Sequence, residues 1–111
     1  MVKIRLYVSE EDEYIGFQMK GHAGFAESGK DIVCAAVSVL VINMINSIET
    51  FTKDIFQCDI HKTKDVVSFR FQEDQVSPQA RLLMDSCVMG LYAIQDEYGK
   101  NYLTIKKEKR K

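Results

Sequence analysis

No Cys-x-x-Cys pair occurs in the sequence, no apolar run approaches the length of a bilayer span, and charge of neither sign dominates. Three cysteines, Cys34, Cys58 and Cys87, are an odd number without metal-ligand spacing, which argues against a disulfide framework and a zinc knuckle. Reduced thiols in a cytoplasmic protein fit that pattern. The longest strongly apolar run, Ile32 to Ile42, has 11 residues and is interrupted by Ser38; a span needs roughly 20, so the run is read as a core helix and no membrane is expected. The opening MVKIRLYVSEEDE has no apolar signal core and turns acidic, so no secretory signal is expected. With 15 basic and 16 acidic residues the net charge is -1, which gives no argument for nucleic acid or an anionic membrane. The one concentration of charge is Lys106 to Lys111, KKEKRK, at +4 against -5 for the rest. It is expected to be a solvated, frayed tail, with no direct nucleic-acid binding.

What is present is the material of one domain: 111 residues, 46% hydrophobic and 28% charged. Val2, Ile4, Leu6 and Val8 alternate with polar residues, the period of a half-buried strand, and Ile15, Phe17 and Met19 repeat it after a turn at Glu10 to Glu13. Gly21 to Lys30 breaks the periodicity with three glycines. Asp31 is an N-cap residue type and opens an apolar helix running to about Phe51. Strands follow at Ile55 to His61 and Val66 to Gln72. Ser77-Pro78 marks the start of a second helix, and Gly99 its stop. Tyr102 to Ile105 makes a last strand. The expected fold is α+β in two layers, ordered strand-strand-helix-strand-strand-helix-strand. A largely antiparallel sheet is packed on one face by two long helices, in a single domain over 1–105 with a basic tail over 106–111.

From Ile32 to Ile45 the first helix is apolar nearly all round, with Ser38 and Asn43 as its clear polar interruptions. One sheet face cannot cover such a helix. Further cover must come from the other helix or a second copy of the chain, so a homodimer through helical surface is expected.

Chemistry concentrates in GHAGFAESGKDIVCAAVS, Gly21 to Ser38. With Asp31 as N-cap, Cys34 falls at the third helical position, among unpaired N–H groups that favour a thiolate and could receive an oxyanion. The plainer reading is a small buried residue beside Ala35 and Ala36. His22 lies 12 positions earlier on a loop fixed at both ends and can reach Cys34, the minimum apparatus for nucleophilic acyl transfer. Asp31 either caps the helix or orients the His22 imidazolium. Ser38, one turn after Cys34, either hydrogen-bonds near the sulfur or bonds back to the Cys34 carbonyl. Gly21, Gly24 and Gly29 loosen the loop and Phe25 gives it an apolar tip, the composition of a lid. The segment lacks GxxxxGK[ST], and no GxGxxG occurs, so nucleotide binding is discarded.

Gly21-His22-Ala23, a glycine-containing loop, and then Gly29-x-Asp31-Ile-Val-Cys34-Ala-Ala-Val-Ser38 resemble the signature of the bacterial ribosomal-processing cysteine protease family, Prp. The match is concentrated in these 18 residues, while element order agrees along nearly the whole chain. The resemblance implies an endopeptidase that removes the short N-terminal extension of ribosomal protein number twenty-seven of the large subunit. That extension ends in paired phenylalanines before a small residue. His22 would be the base and Cys34 the nucleophile, supported by Asp31 and Ser38, in a homodimer that needs neither metal nor cofactor. Gly21, Ala23, Gly24, Phe25 and Gly29 would form the substrate or lid loop. Against this stand a non-enzymatic ribosome-associated or assembly-assisting binding module, and a thiol hydrolase of small molecules.

Overall fold

Alternation in the strands and breaks at the glycines produce seven elements in the expected order: β1 (Val2–Val8), β2 (Tyr14–Lys20), α1 (Ser28–Phe51), β3 (Phe56–His61), β4 (Val66–Phe71), α2 (Pro78–Tyr98) and β5 (Leu103–Lys109). The structure is a computed structural model that describes residues 1–21, 28–61, 64–72 and 75–110, and for 28–31 the helical backbone alone. The strands form one sheet in the order β3-β4-β2-β1-β5. Neighbours are antiparallel except β1 and β5, which run parallel from Val2↔Leu103 to Val8↔Lys109. Thus α1 carries the chain past β4 to the parallel strand β3, and α2 carries it back past β2 and β1 to β5. The architecture is α+β, as the sequence predicts.

One face of the sheet is closed by both helices. Val2, Ile4, Leu6, Phe17, Met19, Val67, Phe69 and Phe71 form a single cluster with Val33, Val37, Val41 and Ile48 of α1 and Met84, Cys87, Val88 and Leu91 of α2. Phe69 is its aromatic centre, with ring centroids 5.4 Å from Phe17, 4.9 Å from Phe56 and 5.0 Å from Phe71. The helices approach closely because residue 90 is glycine: a Cβ there would come within 2.7 Å of the Leu40 side chain. α2 begins as its residues predict, with the Ser77 hydroxyl accepting from the Ala80 N–H at 3.1 Å and Pro78 at the first helical position. Asp54 fixes the cap by accepting from the Ser77 backbone N–H at 2.7 Å and from its hydroxyl at 2.5 Å. Burial opposes the charge on Asp54, but the Ser77 bonds outweigh it and hold the carboxyl below its ordinary range. At the other end Gly99 stops the helix at φ 99°, its N–H donating to the Gln95 carbonyl at 2.8 Å.

Two expectations need correction. Ile32–Phe51 is long and apolar enough to cross a bilayer by length and composition, because apolar residues resume at Met44, Ile45 and Ile48 beyond the 11-residue run. Its inner stripe is nonetheless buried against the sheet, as in a packed core helix. The second correction concerns the basic end. Lys106 to Lys109 is no frayed tail but the second half of β5, in register with Arg5, Leu6, Tyr7 and Val8. Charge misled here, since an edge strand is held by its backbone. The Arg110 N–H continues the ladder to the Val8 carbonyl at 2.8 Å, Arg110 lies 4.5 Å over the Tyr7 ring, and Lys107 lies 5.6 Å over Tyr14.

Ending the chain after Ile105 should therefore lower stability by about 2 kcal/mol or more, since several ladder hydrogen bonds of about 1 kcal/mol each are lost. Urea unfolding of the truncated and full chains checks this; equal midpoints would mean a frayed end.

Candidate active site

The backbone that delivers the motif is anchored at Gly21. Its N–H donates to the Asp65 carbonyl at 3.0 Å, and its φ of 84° lies where side chains are strained. A Cβ at Gly21 would also come within 2.5 Å of the Met1 carbonyl oxygen, so the first residue of the motif has two reasons to be glycine. This anchor sits where β2 ends, at the edge of the sheet at which β1 begins and β3 meets β4. His22, Ala23, Gly24 and Phe25 lie outside the described residues. The described residues resume at Ser28, where α1 begins.

That starting point corrects the placement of Asp31 and Gly29. Asp31 is not the first-turn cap of a helix opening at Ile32; the helix is already formed at Ser28, and Gly29 belongs to its first turn rather than to the loop. A signal for this start exists in the sequence, because Ser28-Gly-Lys-Asp31 has the Ser-x-x-Asp spacing of a capping box before an apolar run. Cys34 consequently occupies the second turn. Its N–H falls within the intrahelical ladder, so it is not one of the orphan donors of the first turn. It stands about 9 Å along the axis from Ser28, beyond the turn in which the dipole acts strongly.

Cys34 lies at the rim of the core, 8% exposed, between Val33 and Val37, which are fully buried. Ile32, at 54% exposure, and Ala35 flank it on the open side of α1. Ser38 follows on the same face, half-buried. The other two thiols have different surroundings. Cys87 is sealed between the helices with its Sγ 3.8 Å from the Leu40 carbonyl oxygen, and burial pushes its pKa up to about 12. Cys58 is half-buried on β3, and burial followed by the neighbouring Asp59 charge raises its pKa as well. Both therefore disfavour the thiolate form that attacks carbonyl carbon. Among the described residues no group of His, Cys, Asp and Glu could hold a metal ion.

The family model described as "Cysteine protease Prp" matches residues 1–103. The ribosomal processing cysteine protease Prp of Bacillus subtilis is 30% identical over 105 residues, covering 91% of this chain and 93% of the relative. The protein of the same description from Mycoplasma genitalium is 33% identical over 89 residues, covering 80% and 84%. The crystal structure of the essential ribosomal processing protease Prp from S. aureus in complex with a substrate peptide superposes with a TM-score of 0.89. It is 23% identical and is covered over 97% of this chain and 100% of that one, a likeness that shows the fold. The class is therefore that of the cysteine proteases, peptide hydrolases with a thiol nucleophile. Within it, the chain belongs to the Prp family.

Alkylation should separate the three thiols. Because burial raises the Cys87 pKa, its thiolate appears only as pH approaches about 12, and at pH 8 roughly one part in ten thousand is ionised. Peptide mass mapping after brief iodoacetamide treatment at pH 8 should find Cys87 unlabelled in the folded protein and labelled once urea is added. Labelling of Cys87 without urea would contradict its burial.

Proposed function

We propose that this cysteine protease removes the short N-terminal extension of ribosomal protein number twenty-seven of the large subunit, in the cytoplasm, cutting after paired phenylalanines and before a small residue. The observation that carries the reading is the position of Cys34. It stands at the rim of the core in a helix whose N-terminal approach begins at the anchored Gly21, one residue before His22. Relatives described as ribosomal processing proteases, and an S. aureus relative solved with a substrate peptide, support the same reading.

In this mechanism the His22 imidazole takes the Cys34 proton and Sγ attacks the scissile carbonyl carbon. The tetrahedral intermediate collapses as the C–N bond breaks, and His22 returns its proton to the departing amine. Water, deprotonated by the same imidazole, then attacks the thioester, and the acid product leaves with the thiol restored. Asp31 supports the imidazolium electrostatically and Ser38 hydrogen-bonds beside the sulfur. Gly21, Ala23, Gly24 and Phe25 belong to the substrate-contacting segment, and Phe25 supplies apolar surface for the aromatic residues of the substrate. No metal or cofactor enters these steps.

The enzyme acts as a homodimer through its helices. Ile32, Val39 and Ile42 of α1 and Leu82 and Met89 of α2 stand exposed, with Val39 at 70% and Met89 at 71%. Between the helices Ala35, Val39, Leu40, Gly90 and Ile94, with Asn43 as the polar exception, line a largely apolar groove of about 560 Å³. Apolar surface of this extent is what a second copy would bury.

A precursor peptide carrying Phe-Phe and then a small residue should be cut by the full chain. Cys34→Ala should abolish turnover, and His22→Ala should lower kcat/KM by about 10²–10⁴. Cleavage that persists in Cys34→Ala would refute the mechanism. Light scattering should give twice the 12.7 kDa chain mass, and Val39→Glu should shift it toward the monomer at micromolar concentration. A wild-type monomer at that concentration would refute the dimer.

A further inference from the structure

On the face of the sheet turned away from the helices cations cluster around β1, with Glu108 on the same face paired to Arg5 at 3.5 Å and to Arg110 at 3.3 Å. Because Val2, Ile4 and Leu6 are buried, Lys3 and Arg5 point to the open side, and registration brings their neighbours' cations to the same side. Lys3 stands directly opposite Lys20 on β2, and Arg5 directly opposite Lys106 on β5. Like charges placed opposite one another disfavour the sheet, yet they recur here on both flanks of β1. Together they line a hollow of about 540 Å³ with Gln18 and Thr104 as hydrogen-bonding groups and no acidic side chain.

A second hollow of about 280 Å³ continues along the same face, where Arg70 and Arg110 stand with Asp59, Tyr7, Phe17 and Phe69. It opens where Gly16, paired with Tyr7 and Arg70, leaves the sheet without a side chain. Met1 stands exposed at the edge of the larger hollow, but the hollow's lysine-rich lining is the composition that protein interfaces avoid at their centres. A flexible polyanion finds closely spaced cations about 5 Å apart across strands and about 7 Å apart along them, with amide and hydroxyl groups between.

From this arrangement we infer that the open sheet face binds the phosphate backbone of single-stranded RNA, through Lys3, Arg5, Lys20 and Lys106. The inference stands apart from the proteolytic site and does not depend on the identity of the peptide substrate.

Fluorescence anisotropy of a labelled 12-nucleotide RNA, titrated with the full chain from 50 to 300 mM salt, tests it. The triple variant Lys3→Gln, Arg5→Gln, Lys106→Gln should bind at least tenfold more weakly at 50 mM salt, with a log–log salt slope smaller by about two. Single substitutions at these positions should each reduce the slope by about 0.7, which keeps the test open should the triple variant misfold. Lys53→Gln with Lys100→Gln, off this face, should leave affinity within about twofold. Absence of RNA binding at 50 mM salt, an equal loss in the off-face variant, or displacement of RNA by an acidic peptide at matched charge would each overturn the inference.

Discussion

The two-residue period of β1 is the constraint on which the remaining structure depends. Val2, Ile4, Leu6 and Val8 must face the helices, so Lys3, Arg5 and Tyr7 must face the other way, and a slip of one residue would exchange the two sets. β1 pairs on both flanks, with β2 and with β5, so its register sets theirs. Through β2 it fixes where Gly21 leaves the sheet, and through β5 it decides which lysines share a face. The core, the anchor at Gly21 and the charged face all follow from that one alternation.

Clustering of cations also explains how a chain with net charge -1 can carry a basic surface. Many acidic residues lie in the Glu10–Glu13 turn and on the helices, while Asp59 and Glu108 share the open face with the cations. Strand pairing collects cations that are far apart in sequence, such as Lys3, Lys20 and Lys106, onto one side. A total is blind to this because it carries no register.

Element order was legible because each element repeats its signal: the alternation of β1, the Ser77-Pro78 start of α2 and its Gly99 stop all appear as their residues imply. The true start of α1 was missed because Asp31 and Ser28 are both good starting residues, and only the formed helix chooses between them. β5 was cut short because its second half is held by a backbone partner about a hundred residues away, which no local pattern announces. The N–H environment assigned to Cys34 depended on a first helical residue placed at Ile32, four residues later than Ser28. The plainer reading of Cys34, a buried residue beside the core valines of α1, agrees with its 8% exposure.

The pairing of β1 with β5 has a consequence for how the chain comes to be folded. Val2 and Leu103 meet only after about a hundred intervening residues have been laid down, so this contact is among the most costly in loop-closure entropy and among the last that can form. During synthesis β1 can pair with β2 while its other edge remains open, and that edge closes when the last strand arrives. The sheet is therefore complete only when β5 has joined β1 across that long separation.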